Sequence, residues 1–242
     1  MNINLWYNMP MLNITQLKSL ITHSDSRIAA GVIDTDLRYS SMSRYEVELT
    51  GLKSQEAAIE LTHYDLPCAM SKSAPELQRQ YLKIIDTKKP LKVLNMHTTA
   101  QNNLGIYLTD KVPTLDSNNK VTEITYVCNE LSETILEKLK YPLITTIEHF
   151  QSRKLPISLS YEIIERFEEL DLTTRESECF YYLIRSRSAK SIAAALDISQ
   201  RTVESHIENI KNKLNCYNKE SLVDFAYALG LLHRIPLSLL PA

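Results

Sequence analysis

The feature that most restricts the fold lies between Ser188 and Leu214. Ile192, Ala193 and Leu196 are spaced as one face of a short helix. Val203, Ile207, Ile210 and Leu214 then recur at spacings of four, three and four, as the buried stripe of a longer helix. Only Asp197-Ile198-Ser199 separates the two runs. Ser188 begins the first run, and Ser199 stands just before the second, where a hydroxyl can accept from the free N–H groups of a first turn. A three-residue connection cannot carry the chain around a wide loop. The two helices must therefore pack on each other, and the second must expose a polar face opposite its stripe. That arrangement is a helix-turn-helix, spanning about 188–207.

The surrounding pattern also reads as helical. Ser160 is placed to cap a helix over 161–170, with Ile163, Ile164 and Phe167 on one side. Thr173 and Glu176 have capping-box spacing for the next helix, which carries Cys179, Phe180 and Leu183. A last helix over 219–231 carries Leu222, Phe225, Ala226 and Leu229 as an apolar stripe.

Residues 14–140 read differently. A helix is expected over 14–23 and strands over 28–33 and 39–43, with a turn at Asp34 to Asp36. Short helical pieces are expected over 45–49 and 55–59, with Gly51 as a C-cap. A firmer helix over 75–86 carries Leu77, Tyr81, Ile84 and Ile85. Strands follow over 91–99, 105–112 and 121–128, the last two joined as a hairpin through Asp116-Ser117-Asn118-Asn119. A helix over 131–139 leaves the sheet, and 141–170 is a linker with helix. The fold class is α+β: an antiparallel sheet with helices on one face, then an all-α domain over 171–236.

Two family resemblances follow from these residues. Leu172-Thr173-Thr174-Arg175-Glu176 matches the pattern L-T-x-R-E that opens LuxR-type DNA-binding domains. Ser188, Lys190, Ile192, Ala193 and Leu196 match its S-x-K-x-I-A-x-x-L stretch. Ile198, Ser199, Thr202, Val203, His206, Asn209, Ile210, Lys213 and Leu214 match I-S-x-x-T-V-x-x-H-x-x-N-I-x-x-K-L. The chain departs from the pattern at Ser186, often Gly in the family, and at Ser191, where Glu is preferred. Residues 14–139 resemble a PAS domain in element order, in the turn Asp34-Thr35-Asp36-Leu37-Arg38-Tyr39, in Leu49-Thr50-Gly51, and in Asp65-Leu66-Pro67-Cys68. Together these imply a transcription regulator in which a PAS-like sensor controls a reader of double-stranded DNA.

Composition narrows the alternatives. Among 242 residues only 4 are Gly, and neither nucleotide-binding glycine motif occurs. The formal net charge is -2, so any basic surface must be local. Cys68, Cys128, Cys179 and Cys216 lack zinc spacing and read as buried thiols of a reducing compartment. No signal-peptide pattern opens the chain and no apolar stretch would span a bilayer, so a cytoplasmic protein without a membrane partner is expected. No nucleophile–base set or metal cluster points to an enzyme. The sole Trp and the missing W-x-x-x-Y pattern argue against an acyl-homoserine-lactone type of LuxR regulator. A protein-interaction adaptor with a degenerate reader remains as an alternative.

The expected DNA-contacting residues fall in two groups. Lys190, Arg201, Lys211 and Lys213 are phosphate candidates, with Gln200 and Thr202 at the start of the recognition helix. Glu204, Ser205, Glu208 and Asn209 should face the major groove, where Glu can accept from cytosine N4 and Asn can pair with adenine. His206 reads as a scaffold residue. Leu222, Phe225, Ala226 and Leu229 are the expected homodimer contact. RNA polymerase is a further candidate partner. No cofactor is expected: His63, His97, Cys68 and Cys128 read as structural, and a small-molecule ligand of the PAS-like domain has no identity in the sequence.

Overall fold

The computed structural model describes residues 28–131 and 158–240. The helices expected over 14–23 and 131–139, and most of the linker, lie outside the described residues. The chain divides into two units, with the described boundary between Ser160 and Tyr161.

The first unit is built on an antiparallel sheet. Its strands are β1 (Ala29–Asp34), β2 (Tyr39–Met42), β3 (Leu91–Thr98), β4 (Leu104–Leu115) and β5 (Val121–Glu130), in the spatial order β2-β1-β5-β4-β3. The Asp34 carboxylate makes the first turn by accepting from the N–H groups of Asp36 and Arg38, both at 2.9 Å. Asp116 does the same between β4 and β5, accepting from Asn118 and Lys120. β1 can pair on both edges because Gly31 has no side chain, since a Cβ there would lie 2.6 Å from the Ser41 carbonyl oxygen.

Between β2 and β3 run the helices α1 (Arg44–Thr50) and α2 (Ala74–Thr87), with 3-10 turns between them. Ser43 caps α1, and Gly51 ends it at φ 77°. Leu77, Tyr81 and Ile84 of α2 are buried, and Tyr81 and Ile84 join Ile33, Tyr39, Val93 and Ile124 in one core. Strands in the order β2-β1-β5-β4-β3, with the helices inserted between the second and third, make this a PAS-like domain.

The second unit departs from the sequence reading at both ends. Toward the C-terminus, the helix expected over 219–231 stops at Ala228, and Arg234–Pro236 is a strand within the stretch expected to be all-α. Residues 161–170 do not form a helix. Strand β6 (Ser158–Ile164) runs through the unit boundary, followed by a 3-10 turn at Glu168–Leu170. Tyr161 and Ile163 are both buried, a period of two, which helical spacing of Ile163, Ile164 and Phe167 had obscured. β6 pairs in parallel with β7 (Arg234–Pro236), Ile163 opposite Ile235.

Four helices follow: α3 (Thr174–Leu183), α4 (Ala189–Leu196), α5 (Gln200–Leu214) and α6 (Lys219–Ala228). Thr173 and Glu176 form the capping box of α3. Phe167 packs edge-on against Phe180 at 5.2 Å, and Ile192, Val203, Ile210 and Leu222 are also buried. The tight turn between α4 and α5 works because Asp197 takes φ 53° and its N–H and that of Ile198 both reach the Ala193 carbonyl. Ser199 then caps α5 by accepting from Thr202 N–H at 3.0 Å.

Ser186 adopts φ 62° in the bend between α3 and α4. Glycine suits such a position better than serine, because a Cβ is strained in the left-handed region. Ser186→Gly should stabilise the helical unit by about 0.5–1 kcal/mol, the relief of strain exceeding the added freedom of the unfolded chain. Urea unfolding of the two proteins measures it. A Gly variant that unfolds earlier would show that Ser186 makes a compensating interaction.

Candidate nucleic-acid interface and ligand cavity

The polar face of α5 is laid out by its buried stripe. Val203 and Ile210 are fully buried and Ile207 is half-buried. Glu204, Ser205, Glu208 and Asn209 are consequently all exposed on the opposite side, with Gln200, Arg201 and Thr202 at the helix start. Several are already engaged. Gln200 Nε2 donates to Glu204 Oε1 at 2.8 Å, which holds the carboxylate in place and leaves Oε2 as an acceptor. Glu208 pairs with Lys211 at 2.6 Å. The Thr202 hydroxyl lies 2.8 Å from that of Ser199. Lys190, Arg201 and Asn209 are exposed and make no side-chain hydrogen bond or ion pair among the described residues.

Lys213 behaves differently from the other cations. Its ammonium donates to Asp171 O at 2.8 Å and to Glu176 Oε2 at 2.9 Å. The Glu176 side chain is only 6% exposed. Burial pushes the Glu176 carboxyl up. The Thr173 N–H, the Lys213 ammonium and the Thr173 hydroxyl outweigh that effect and hold it below the usual carboxylate range. Lys213 therefore ties the end of α5 to the start of α3, which is not the free phosphate-facing cation the sequence reading expected.

The expected dimer stripe also needs correction. Leu222 and Ala226 are completely buried in the core of their own unit, so they are not available to a partner. Phe225 is half-buried and Leu229 is 52% exposed. Leu229 is thus the expected stripe residue that is most exposed, and Tyr227 and Tyr217, which the stripe did not include, are exposed large apolar side chains as well.

In the first unit, one face of the sheet lines a cavity of about 50 Å³. Strand periodicity selects the lining: Asn95 and His97 on β3, Tyr107, Thr109 and Lys111 on β4, Tyr126 and Cys128 on β5. Glu46 and Leu49 of α1, His63, Cys68, Met70, and Leu77 and Tyr81 of α2 close it. The four residues read as structural in the sequence, His63, His97, Cys68 and Cys128, thus all converge on one cavity. Space of this size admits a few water molecules or a ligand of few heavy atoms.

The cavity holds buried groups of both charge types. Lys111 is 2% exposed, its Nζ donates to Gln80 Oε1 at 2.8 Å, and it sits 4.0 Å over the Tyr81 ring. Burial brings its ammonium down to about 7, against the opposing influence of Cys128 and Glu46. Glu46 accepts from the Tyr126 hydroxyl at 2.8 Å, and burial raises its carboxyl to about 7 although that bond and Lys111 pull it down. Burial, then the Lys111 charge, then His97 bring His63 to about 3, so it is a neutral imidazole, and its Nδ1 has no hydrogen-bond partner. His97 is held neutral in the same way, at about 4. Sequence reasoning missed Glu46 and Lys111. The available signal was a Lys in phase with Tyr107 and Thr109 on an otherwise inward-facing strand register.

A PAS-like sheet lining a largely apolar cavity with buried Lys111 and Glu46 is followed in the chain by a capped helix-turn-helix with an exposed polar face, the LuxR type of reader domain. The model of "Bacterial regulatory proteins, luxR family" matches residues 170–226, and the chain belongs to that family. It is 40% identical over 61 residues to the spore germination protein GerE of Bacillus subtilis, covering 25% of this chain and 82% of that protein. It is 38% identical over 61 residues to the HTH-type quorum sensing-dependent transcriptional regulator VjbR of Brucella ovis. That match covers 25% of this chain and 24% of VjbR, so the chain spans about a quarter of this relative's length. A structure of the Vibrio cholerae VqmA dimer is 25% identical with a TM-score of 0.47, covering 95% of this chain and 93% of the other.

Proposed function

We propose that the chain is a sequence-specific DNA-binding transcription regulator, acting as a homodimer in the cytoplasm, whose PAS-like domain responds to a small molecule. The observation that carries the reading is the exposed face of α5, where Glu204, Ser205 and Asn209 stand clear of the core beside Arg201. Lys190 and Arg201, free of other partners among the described residues, take the phosphates. Glu204 and Asn209 read base edges in the major groove. Phe225 and Leu229, with Tyr227, form the dimer contact.

The cavity of the first domain is the ligand site of this reading. Lys111 supplies a donor and Glu46 an acceptor inside an apolar wall, and His63 offers an unpaired ring nitrogen. A small molecule with a hydrogen-bond acceptor facing Lys111 suits this lining.

Selection of bound sequences from a random DNA pool by the full chain tests the reading. Enrichment of paired half-sites is expected. Glu204→Ala should then relax the preference at one base pair per half-site by about 1–3 kcal/mol, because its carboxylate gains nothing from phosphates. Binding to scrambled DNA should be equal or slightly tighter. A pool that shows no enrichment favours an adaptor that uses α5 to hold protein, and equal weakening on both DNAs removes Glu204 from base reading.

A further inference from the structure

The cavity is wired to the end of its own domain by a chain of buried hydrogen bonds. Lys111 Nζ donates to Gln80 Oε1 at 2.8 Å, and Gln80 Nε2 donates to Ser160 Oγ at 2.9 Å. The Ser160 hydroxyl donates to Asn95 Oδ1 at 2.6 Å, and Asn95 Nδ2 donates to Thr109 Oγ1 at 2.8 Å. Lys111, Asn95 and Thr109 line the cavity, whereas Ser160 and Gln80 stand behind it. Ser160 is 3% exposed. It is also the last residue of the sheet unit, and Tyr161, the next residue, is the first described residue of the helical unit.

We propose that Ser160 is the positioning residue through which the cavity's occupancy is passed to the reader. This rests on the cavity being the ligand site proposed above, and it adds the route of regulation. Each link follows from donor and acceptor counting. The Gln80 side-chain amide serves Lys111 with its oxygen, and its nitrogen donates to Ser160 and, at 3.2 Å, to Glu76 Oε1, so a shift of Lys111 toward a ligand acceptor leaves Gln80 Oε1 unpaired in a dry interior. An unpaired buried carbonyl is costly enough to make Gln80 turn. Ser160 then loses its donor, and only Asn95 retains it. A single hydroxyl thus joins two cavity-lining branches, one from α2 and β4, the other from β3 and β4. Its backbone continues into Tyr161–Ile164 without an intervening loop, because all these residues belong to β6. A change at Ser160 is consequently a change in how the first strand of the helical unit is held.

Hydrogen exchange of the backbone amides of Ser158–Ile164 in the full chain, together with titration of the selected DNA duplex, tests the relay. Lys111→Met, which keeps the length of the side chain but removes the donor, should speed exchange of these amides about fivefold or more. Ser160→Ala should do the same, and the double variant should exchange no faster than either single one. Ser160→Thr, which keeps the hydroxyl, should restore the natural rate. Gln80→Met breaks the same chain one step earlier and replaces Ser160→Ala if that variant does not fold. Unchanged exchange in Lys111→Met, or factors that multiply in the double variant, would overturn the relay. Non-additive exchange in a protein that binds no DNA would leave the relay standing and remove the DNA reading instead.

Discussion

The Glu46→Gln variant is expected to withstand more urea than the natural chain at pH 8 and nearly the same amount at pH 5. Glu46 is buried, and its folded value of about 7 lies above the ordinary carboxylate range. A group raised on folding contributes stability below its unfolded value, and that contribution is lost as pH rises through the folded value. The loss attributable to Glu46 therefore develops between about pH 4.5 and 7 and is complete by pH 8. Gln keeps an oxygen to accept from the Tyr126 hydroxyl but never ionises. The gain at pH 8 should be on the order of 2–3 kcal/mol. Lys111 has the opposite sign. Its folded value of about 7 lies below the unfolded one near 10.5, so its contribution is present at high pH and lost as pH falls through 7. Lys111→Met should accordingly gain most at pH 5 to 6. Parallel stability curves for the natural chain and Glu46→Gln across pH 5 to 8 would show that Glu46 is solvated or permanently paired in solution.

These two residues also show where the sequence ran out. The reader was legible because its local signals agree. Thr173 with Glu176, Ser188 and Ser199 all cap the helices they precede, and the apolar spacing of 203, 207 and 210 fixes which face of α5 is exposed. The sheet was legible from its turns, since Asp34 and Asp116 hydrogen-bond to the backbone N–H groups two and four residues on. The segment 161–170 was not, because Ile163, Ile164 and Phe167 satisfy a helical stripe as well as a strand, and pairing with Arg234–Pro236 decides between them. The cavity could not be read either. Glu46, Lys111, His63 and Asn95 come from four separate segments, and nothing in their local spacing announces that they meet. Long-range packing likewise decided the fate of Leu222, Ala226 and Lys213, each of which looked available on its own helix.

Lys213→Ala and Lys190→Ala are expected to separate scaffold from interface. In Lys213→Ala the Glu176 carboxylate, 6% exposed, loses its cation while keeping the Thr173 N–H. The Asp171 carbonyl loses a donor as well. Breaking a partly buried pair from one side leaves the remaining charge poorly solvated, so unfolding should become easier by about 1–3 kcal/mol. The effect should shrink at low pH as Glu176 is protonated, because a carboxyl held low contributes stability only above its unfolded value and loses it as pH falls. Since Lys213 already neutralises a protein carboxylate, its removal should leave the salt dependence of DNA binding almost unchanged. Lys190 is exposed on the turn of α4 and engages no other side chain among the described residues. Lys190→Ala should leave stability within about 0.5 kcal/mol of the natural chain. It should weaken selected and scrambled DNA alike and lower the slope of log K against log salt by about 0.9 for each reader, one released counterion per lost phosphate contact. Urea unfolding at pH 7 and below pH 4.5, and DNA titration at several salt concentrations, measure all four quantities. If Lys213→Ala lowers the salt slope without changing stability, its ammonium leaves Glu176 for a phosphate when DNA binds, and the scaffold role is wrong. If Lys190→Ala leaves the slope unchanged, α4 does not approach the backbone, and the orientation of the reader on the duplex has to be redrawn around Arg201.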